Sequence, residues 1–374
     1  MAALSALWIA LTPLTNEASP VALGLGNEQL IQTETSCGNF CLNASNANFD
    51  ISASAHASMA IIPQQFSNSS SEGLKLSPTQ IKTYDLSWHP KYNLSASAGF
   101  RTTERSTERA STGRTVRRIT ASTTEIPLSL SARPLDTISL GVRYALRDVN
   151  LKQENLSNPV ARTGTMSTQP NRWSVDAVWQ KNDQTGFGIS YQAPTATSMS
   201  AGTSGNPIST PDNLKPKWAD PQEVTASMAH YTSLKPPDGI VFGPFENIFH
   251  TSLSVATWDK GAPVSYSALA SGAVSKDGWN LTDNGKQTQE FNFNRLDPNI
   301  SASAGLESVW LRKSFGTVST YTHIRINHIA TQTELNQWQG GFGLSISGPY
   351  LTLRGSSLWR DSESGYAFGL SASL

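Results

Sequence analysis

Tyr366-Ala-Phe-Gly-Leu-Ser-Ala-Ser-Leu374 decides the fold. Tyr366, Phe368, Leu370, Ala372 and Leu374 put an apolar group at every second position out to the last residue, with Ala, Gly and Ser between. Successive side chains of a β-strand point to opposite faces, so this stretch predicts a strand with one apolar and one small or polar face. The same period of two runs back to about residue 48. It is legible as Phe49 to Met59, as Tyr84, Leu86, Trp88, and as Ile126, Leu128, Leu130, Ala132. It recurs as Ile138 to Leu146, Trp173 to Trp179, Val224 to Met228, and Val264 to Ala270. Towards the C-terminus it gives Ile300 to Leu306, Val318 to Ile326 and Trp338 to Ile346. No stretch shows helical periodicity, and none approaches the eighteen consecutive apolar residues of a spanning helix.

Composition says which side the apolar face meets. Charged residues are 15 % of the 374 and hydrophobic ones 38 %, both below the usual shares of roughly 25 % and 45–50 %. A soluble β-sandwich needs large Val, Ile and Leu inside; here many apolar positions are Ala. Aromatics cluster towards run ends (Trp88, Trp173, Trp179, Trp258, Trp310, Trp338, Trp359), the arrangement of interfacial girdles in transmembrane barrels. Ten Trp argue against disorder. Zero net charge, from 28 basic and 28 acidic residues, supplies no electrostatic reason for a nucleic-acid partner.

Connections support a closed sheet. Short ones (89–93, 133–137, 180–186, 259–263, 311–314, 348–349) alternate with long polar ones (63–80, 101–115, 148–171, 194–222, 272–298). Membrane interiors forbid unpaired backbone, so a spanning sheet must close and keep its irregular parts outside. The alternation breaks at Lys235-Pro-Pro-Asp-Gly-Ile-Val-Phe-Gly-Pro-Phe245. About fifteen runs are legible, whereas single-chain bacterial barrels have an even number. The expectation is an all-β transmembrane antiparallel barrel of about fourteen strands, sixteen being the alternative.

Ala2 to Leu14 is apolar and Ala18 offers a cleavage point, which predicts a signal peptide over residues 1–18, although no Lys or Arg precedes the run. Residues 19–47 then form an N-terminal segment carrying both cysteines, and residues 48–374 the barrel. Cys37 and Cys41 lie four apart with no His within ten residues, so a local disulfide is expected rather than a metal site.

No catalytic residue and no cofactor is expected. The most suggestive group is Tyr321-Thr-His-Ile-Arg-Ile-Asn-His-Ile329, in which His323, Arg325 and Asn327 share one strand face and Ile324 and Ile326 take the other. They are read as lumen-lining polar groups, since no Ser stands in a nucleophile motif. The dense run Arg101 to Arg118 is read as a solvated surface loop continuing into a strand, with contact to anionic lipopolysaccharide as its functional alternative.

The layout resembles the FadL family of hydrophobic-compound transporters. The likeness rests on the segment before the first strand, on Asp220-Pro-Gln-Glu-Val-Thr-Ala-Ser-Met-Ala-His-Tyr231, and on the closing Gly365-Tyr-Ala-Phe-Gly-Leu370. The resemblance implies a fourteen-strand barrel plugged by an N-terminal hatch, residues 19–47 here. The family's Asn-Pro-Ala hatch motif is absent, with Asn43-Ala-Ser-Asn-Ala47 near its place, so no ligand residue is carried over. The functional expectation is passive outer-membrane transport of small molecules, hydrophobic ones among them. The alternatives are a structural or adhesive barrel presenting its loops, and a secreted soluble β-protein.

Overall fold

The computed structural model describes residues 52–62, 74–76, 79–89, 94–111, 114–135, 137–155, 163–182, 184–198, 200–201, 217–220, 222–234, 242–244, 246–257, 299–313, 316–329, 335–348, 350–360 and 363–373. The expected signal peptide, the N-terminal segment and the Cys37–Cys41 pair lie outside these residues.

Fourteen strands form one closed antiparallel ring. They are β1 (Ser52–Ile62), β2 (Thr79–His89), β3 (Leu94–Ser111), β4 (Arg114–Leu135) and β5 (Ile138–Asn155). Then come β6 (Arg172–Asn182), β7 (Thr185–Gln192), β8 (Gln222–Ser233), β9 (Glu246–Thr257) and β10 (Asn299–Lys313). The last four are β11 (Gly316–Ile329), β12 (Leu335–Ser347), β13 (Leu351–Arg360) and β14 (Glu363–Ser373). Each pairs with its sequence neighbour, and β1 pairs with both β2 and β14, from Ser54 opposite Ser373 to Ile61 opposite Tyr366. Closure leaves no barrel strand with a free edge. Val264 to Ala270, the run that made the count odd, lies outside the described residues, and the ring closes without it.

The barrel is inside out relative to a soluble protein. On β2, Tyr84, Leu86 and Trp88 are 54, 62 and 55 % exposed, while Ile81, Thr83 and Asp85, in the opposite phase, are 0, 0 and 6 %. The other barrel strands alternate likewise over most of their described side chains; the exceptions are Glu307, Ser308 and Val309 of β10, buried in succession, and Gly340 of β12, which the Trp359 indole covers. A span needs about 9–11 tilted residues. The 10 residues of β13 and the 11 each of β1, β2 and β14 meet that length. Aromatic pairs mark both rims of the β6–β7 hairpin: Trp173 lies 5.5 Å from Tyr191, and Trp179 stacks 5.6 Å from Phe187.

The connection lengths need correcting in two places. Arg101–Thr115 is not a loop. β3 and β4 run on together to Ser111 opposite Arg114. Thr-rich polar sequence suits a strand solvated on both faces, and the register sets Glu108 opposite Arg118. Nor is 148–171 all loop, because β5 continues to Asn155 and pairs there with Thr163–Thr168. Leu74–Leu76 adds to β3, and Ser200–Ala201 to the 163–168 strand. A sheet extension thus stands beyond one rim. The break expected near 235–245 keeps to the rule of sides, since residues 234–245 join β8 to β9 at the short-turn rim. There Phe242 stacks 5.8 Å from Trp310, and the Gly243 N–H donates to the Trp310 carbonyl at 3.0 Å. The β10–β11 register shifts between Val309 and Leu311, so Trp310 is the bulged residue.

Glycine matters where a neighbour occupies the Cβ space. Gly340 lies opposite Trp359 on the outer face, and the indole fills the place a Cβ would take. Gly340→Val is expected to displace Trp359 and cost roughly 1–3 kcal/mol by overpacking. Tryptophan emission and urea midpoints of the refolded barrel would show it; an unchanged midpoint would refute the packing argument.

Candidate functional site

Inside the ring, a charged network spans β2 to β6. On β4 the polar phase puts Glu125 inward while Ile126 points out. Its register partners on either side are Arg101 of β3 and Arg147 of β5, giving a row of plus, minus, plus. Arg143 Nη2 donates to Glu125 Oε1 at 2.5 Å. Arg147 Nε lies 3.5 Å from Glu125 Oε2, and Arg101 Nη1 3.9 Å from Oε1. Arg172, opposite Ala145 on β6, is buried beside them. Arg147 Nη1 also donates to Asp220 Oδ2 at 2.6 Å.

The network sits at one rim. Outward apolar residues stop at Phe100, Ile126 and Leu146, and the next outward positions, Thr102, Thr124 and Asp148, are a polar row in register. Arg101, Glu125 and Arg147 are therefore level with the end of the apolar belt, on the long-connection side. Just below, Pro127 occupies an inward position. It has no N–H to give the ladder, and the β3–β4 pairing skips Gly99 and Phe100.

A second polar group lies half the ring away. His323 is 3 % exposed and Ile324 59 %, so the β11 alternation holds as expected. Gln339 Nε2 and His323 Nε2 are 3.4 Å apart, and Arg325 Nη2 donates to Ser301 Oγ at 3.1 Å. Asn327 shares their phase and pairs along the backbone with Ser301 and Gln337. Further along the inner face Glu307 is opposite Tyr321, with His250 Nε2 at 4.0 Å from Glu307. The Tyr321 ring crosses over Gly343, whose missing side chain leaves it room, and Arg354 Nη1 donates to Ser371 Oγ at 2.6 Å. Hydroxyl pairs line the wall between: Ser95 with Ser131 and Ser252 with Ser303, each at 2.7 Å.

The inner face is not wholly polar. Ala60, Ile81, Leu358 and Ala367 form an apolar patch on β13, β14, β1 and β2, beside the charged network. Ala60 is the register partner of both Ile81 and Ala367. Among the described residues, no three His, Cys, Asp or Glu converge as metal ligands.

Sequence reading named His323 and Arg325 on the inner wall but placed Arg101 in a loop. It did not single out Glu125, Arg143, Arg147, Arg172 or Asp220. The signal was present: four of these stand in the polar phase of an alternating run, next to Ile126, Val142, Leu146 and Trp173. A charge at such a position faces the lumen and needs a partner there.

No protein-family model matches the sequence, and no curated protein does. Solved structures do match in fold. A Pseudomonas aeruginosa FadL homologue superposes with a TM-score of 0.58 at 12 % identity, over 96 % of this chain and 98 % of that one. The P. putida toluene transporter TodX gives 0.57 at 10 % identity, over 96 % and 98 %. The CymD monoaromatic hydrocarbon channel gives 0.52 at 11 %, over 95 % and 96 %. The resemblance read from the sequence thus holds at the level of the fold.

Proposed function

We propose that this chain is an outer-membrane channel, not an enzyme, for the passive passage of small molecules, with hydrophobic ones the first candidates. The observation that carries this reading is the closed fourteen-strand ring with lipid-facing residues outside and, inside, a polar wall interrupted by the Ala60–Ile81–Leu358–Ala367 patch. The fold shared with a toluene transporter and a monoaromatic hydrocarbon channel supports an apolar solute. In this reading residues 19–47, tied by a Cys37–Cys41 disulfide, obstruct the lumen. His323, Arg325 and Asn327 line it, and anionic lipopolysaccharide surrounds the outer rim.

The test uses the refolded full chain and a chain lacking residues 19–47, in planar bilayers and in vesicles offered toluene. The shortened chain is expected to conduct more than the full one, and vesicles holding the full chain to take up toluene faster than empty ones. Equal conductance removes the hatch. Uptake no faster than through empty vesicles removes the hydrophobic solute. A second reading, a barrel that displays surface structure to a partner, draws on the β3–β5 extension beyond the rim. It predicts negligible conductance from both chains.

A further inference from the structure

The connection from β7 to β8 begins and ends in a two-stranded ribbon, Thr195–Ser198 paired with Lys217–Asp220. Its base is held by one carboxylate oxygen. Asp220 Oδ2 accepts from Thr195 Oγ1 at 2.6 Å and from Arg147 Nη1 at 2.6 Å. Arg147 points into the barrel, because Leu146 beside it points to lipid. A side chain that hydrogen-bonds the Arg147 guanidinium must therefore approach from the lumen. Asp220 is buried in doing so, which puts the foot of the ribbon inside the wall rather than over its lip. The other end of the first ribbon strand is tied as well: Thr168 Oγ1 donates to the Ser198 carbonyl at 3.0 Å.

Arg147 is shared between two structures. Its Nε faces Glu125 of the wall and its Nη1 holds the ribbon. The charges around it nearly balance. Arg101, Arg143, Arg147 and Arg172 face Glu125 and Asp220, with Asp85 acting on Arg143 and Glu223 on Arg172. A balanced, buried network does not select the charge of a solute. It fixes position, and charge-assisted bonds are the strong means of doing so.

We propose that the ribbon is a strap that narrows the barrel mouth from its inner wall, running up beside β5 from Arg147 towards Thr168, latched at its foot by Asp220 on Arg147, and that releasing the latch widens the path. The proposal rests on the channel reading. The ribbon is short and two-stranded, and such hairpins are at best marginally stable by themselves, so its position depends on its ties: the Ser200–Ala201 pairing and Thr168 at its far end, and Asp220 at its foot. Losing one charge-assisted hydrogen bond shifts a two-state balance by roughly tenfold or more.

Asp220→Asn keeps the shape and removes the charge. Thr195→Val removes only the hydroxyl donor and carries the same comparison should Asp220→Asn fail to refold. Both are assembled as full chains in lipid bilayers, with the heat-modifiable gel band as proof of the barrel. Two quantities are read: conductance, and the rate of tryptic cleavage after Lys217 in the second ribbon strand. The strap predicts that both rise, conductance by roughly tenfold in open-to-closed ratio for Asp220→Asn, and that Asp220→Glu lies nearer the parent chain. Faster cleavage with unchanged conductance overturns the strap, since a freed ribbon would then obstruct nothing. No change in either overturns the latch. Silence in every variant, and in the chain lacking residues 19–47, overturns the channel reading and the strap with it.

Discussion

Glu125→Gln is expected to destabilise the folded barrel by about 3–5 kcal/mol, the cost of stranding buried charge. The carboxylate lies within 4 Å of Arg101, Arg143 and Arg147 at once. Without it, guanidinium groups on β3 and β5, the two strands that flank β4, repel one another where little water reaches them. The measurement is the urea midpoint for refolding into vesicles, followed by the heat-modifiable band. A matched control is available on the same strand. Arg118 lies 4.0 Å from Glu154, both more open to solvent, so Arg118→Gln should move stability by no more than about 1 kcal/mol. Equal effects of the two changes would mean that the inner network is hydrated and contributes little.

Leu130→Arg should cost about 2–4 kcal/mol, as a cation on the lipid face near the middle of the belt. Thr124→Arg, on the same face of β4 above the last outward apolar residue, should cost about 0–1 kcal/mol. The two positions are six residues apart on one face of one strand, Leu130 between Ala96 and Val142 and Thr124 between Thr102 and Asp148, so the difference reads the passage from apolar belt to polar rim. Leu130 is exposed on the outer face between Leu128 and Ala132. If both variants refold with the parent's midpoint, the outer face is not in hydrocarbon, and the alternation belongs to a water-soluble sheet.

The ring itself was legible because period two survives in local sequence. Each of the fourteen strands carries at least part of an apolar phase, from Met59 on β1 to Leu370 on β14. What misled was polarity taken for irregularity. Thr102 to Ser111 has no apolar face, yet β3 continues through it, because a strand beyond the membrane has water on both sides and needs only its ladder. The inner network was hidden for a different reason. Arg101, Glu125 and Arg147 are far apart along the chain, and only the register places them side by side. His323 and Arg325 could be read together because both stand on a single strand. Asp220 stood out only for the Pro that follows it, while its bond goes to Arg147 on β5, 73 residues earlier.

The β1–β14 seam has a kinetic consequence. Every other pairing in the ring can form between neighbours as the chain lengthens, but Ser54 cannot meet Ser373 until the last strand exists. The search for that contact spans nearly the whole polymer, and pairings of such separation make folding slow. Until then β1 and β14 are two unsatisfied edges, the sites at which a half-made sheet would stick to another copy. Once zipped, the same seam acts in the opposite sense: no strand can peel from an end, because a circle has none. The lifetime of the assembled barrel is then set by the rate of breaking a complete ladder, and its persistence is a matter of barrier height more than of equilibrium depth.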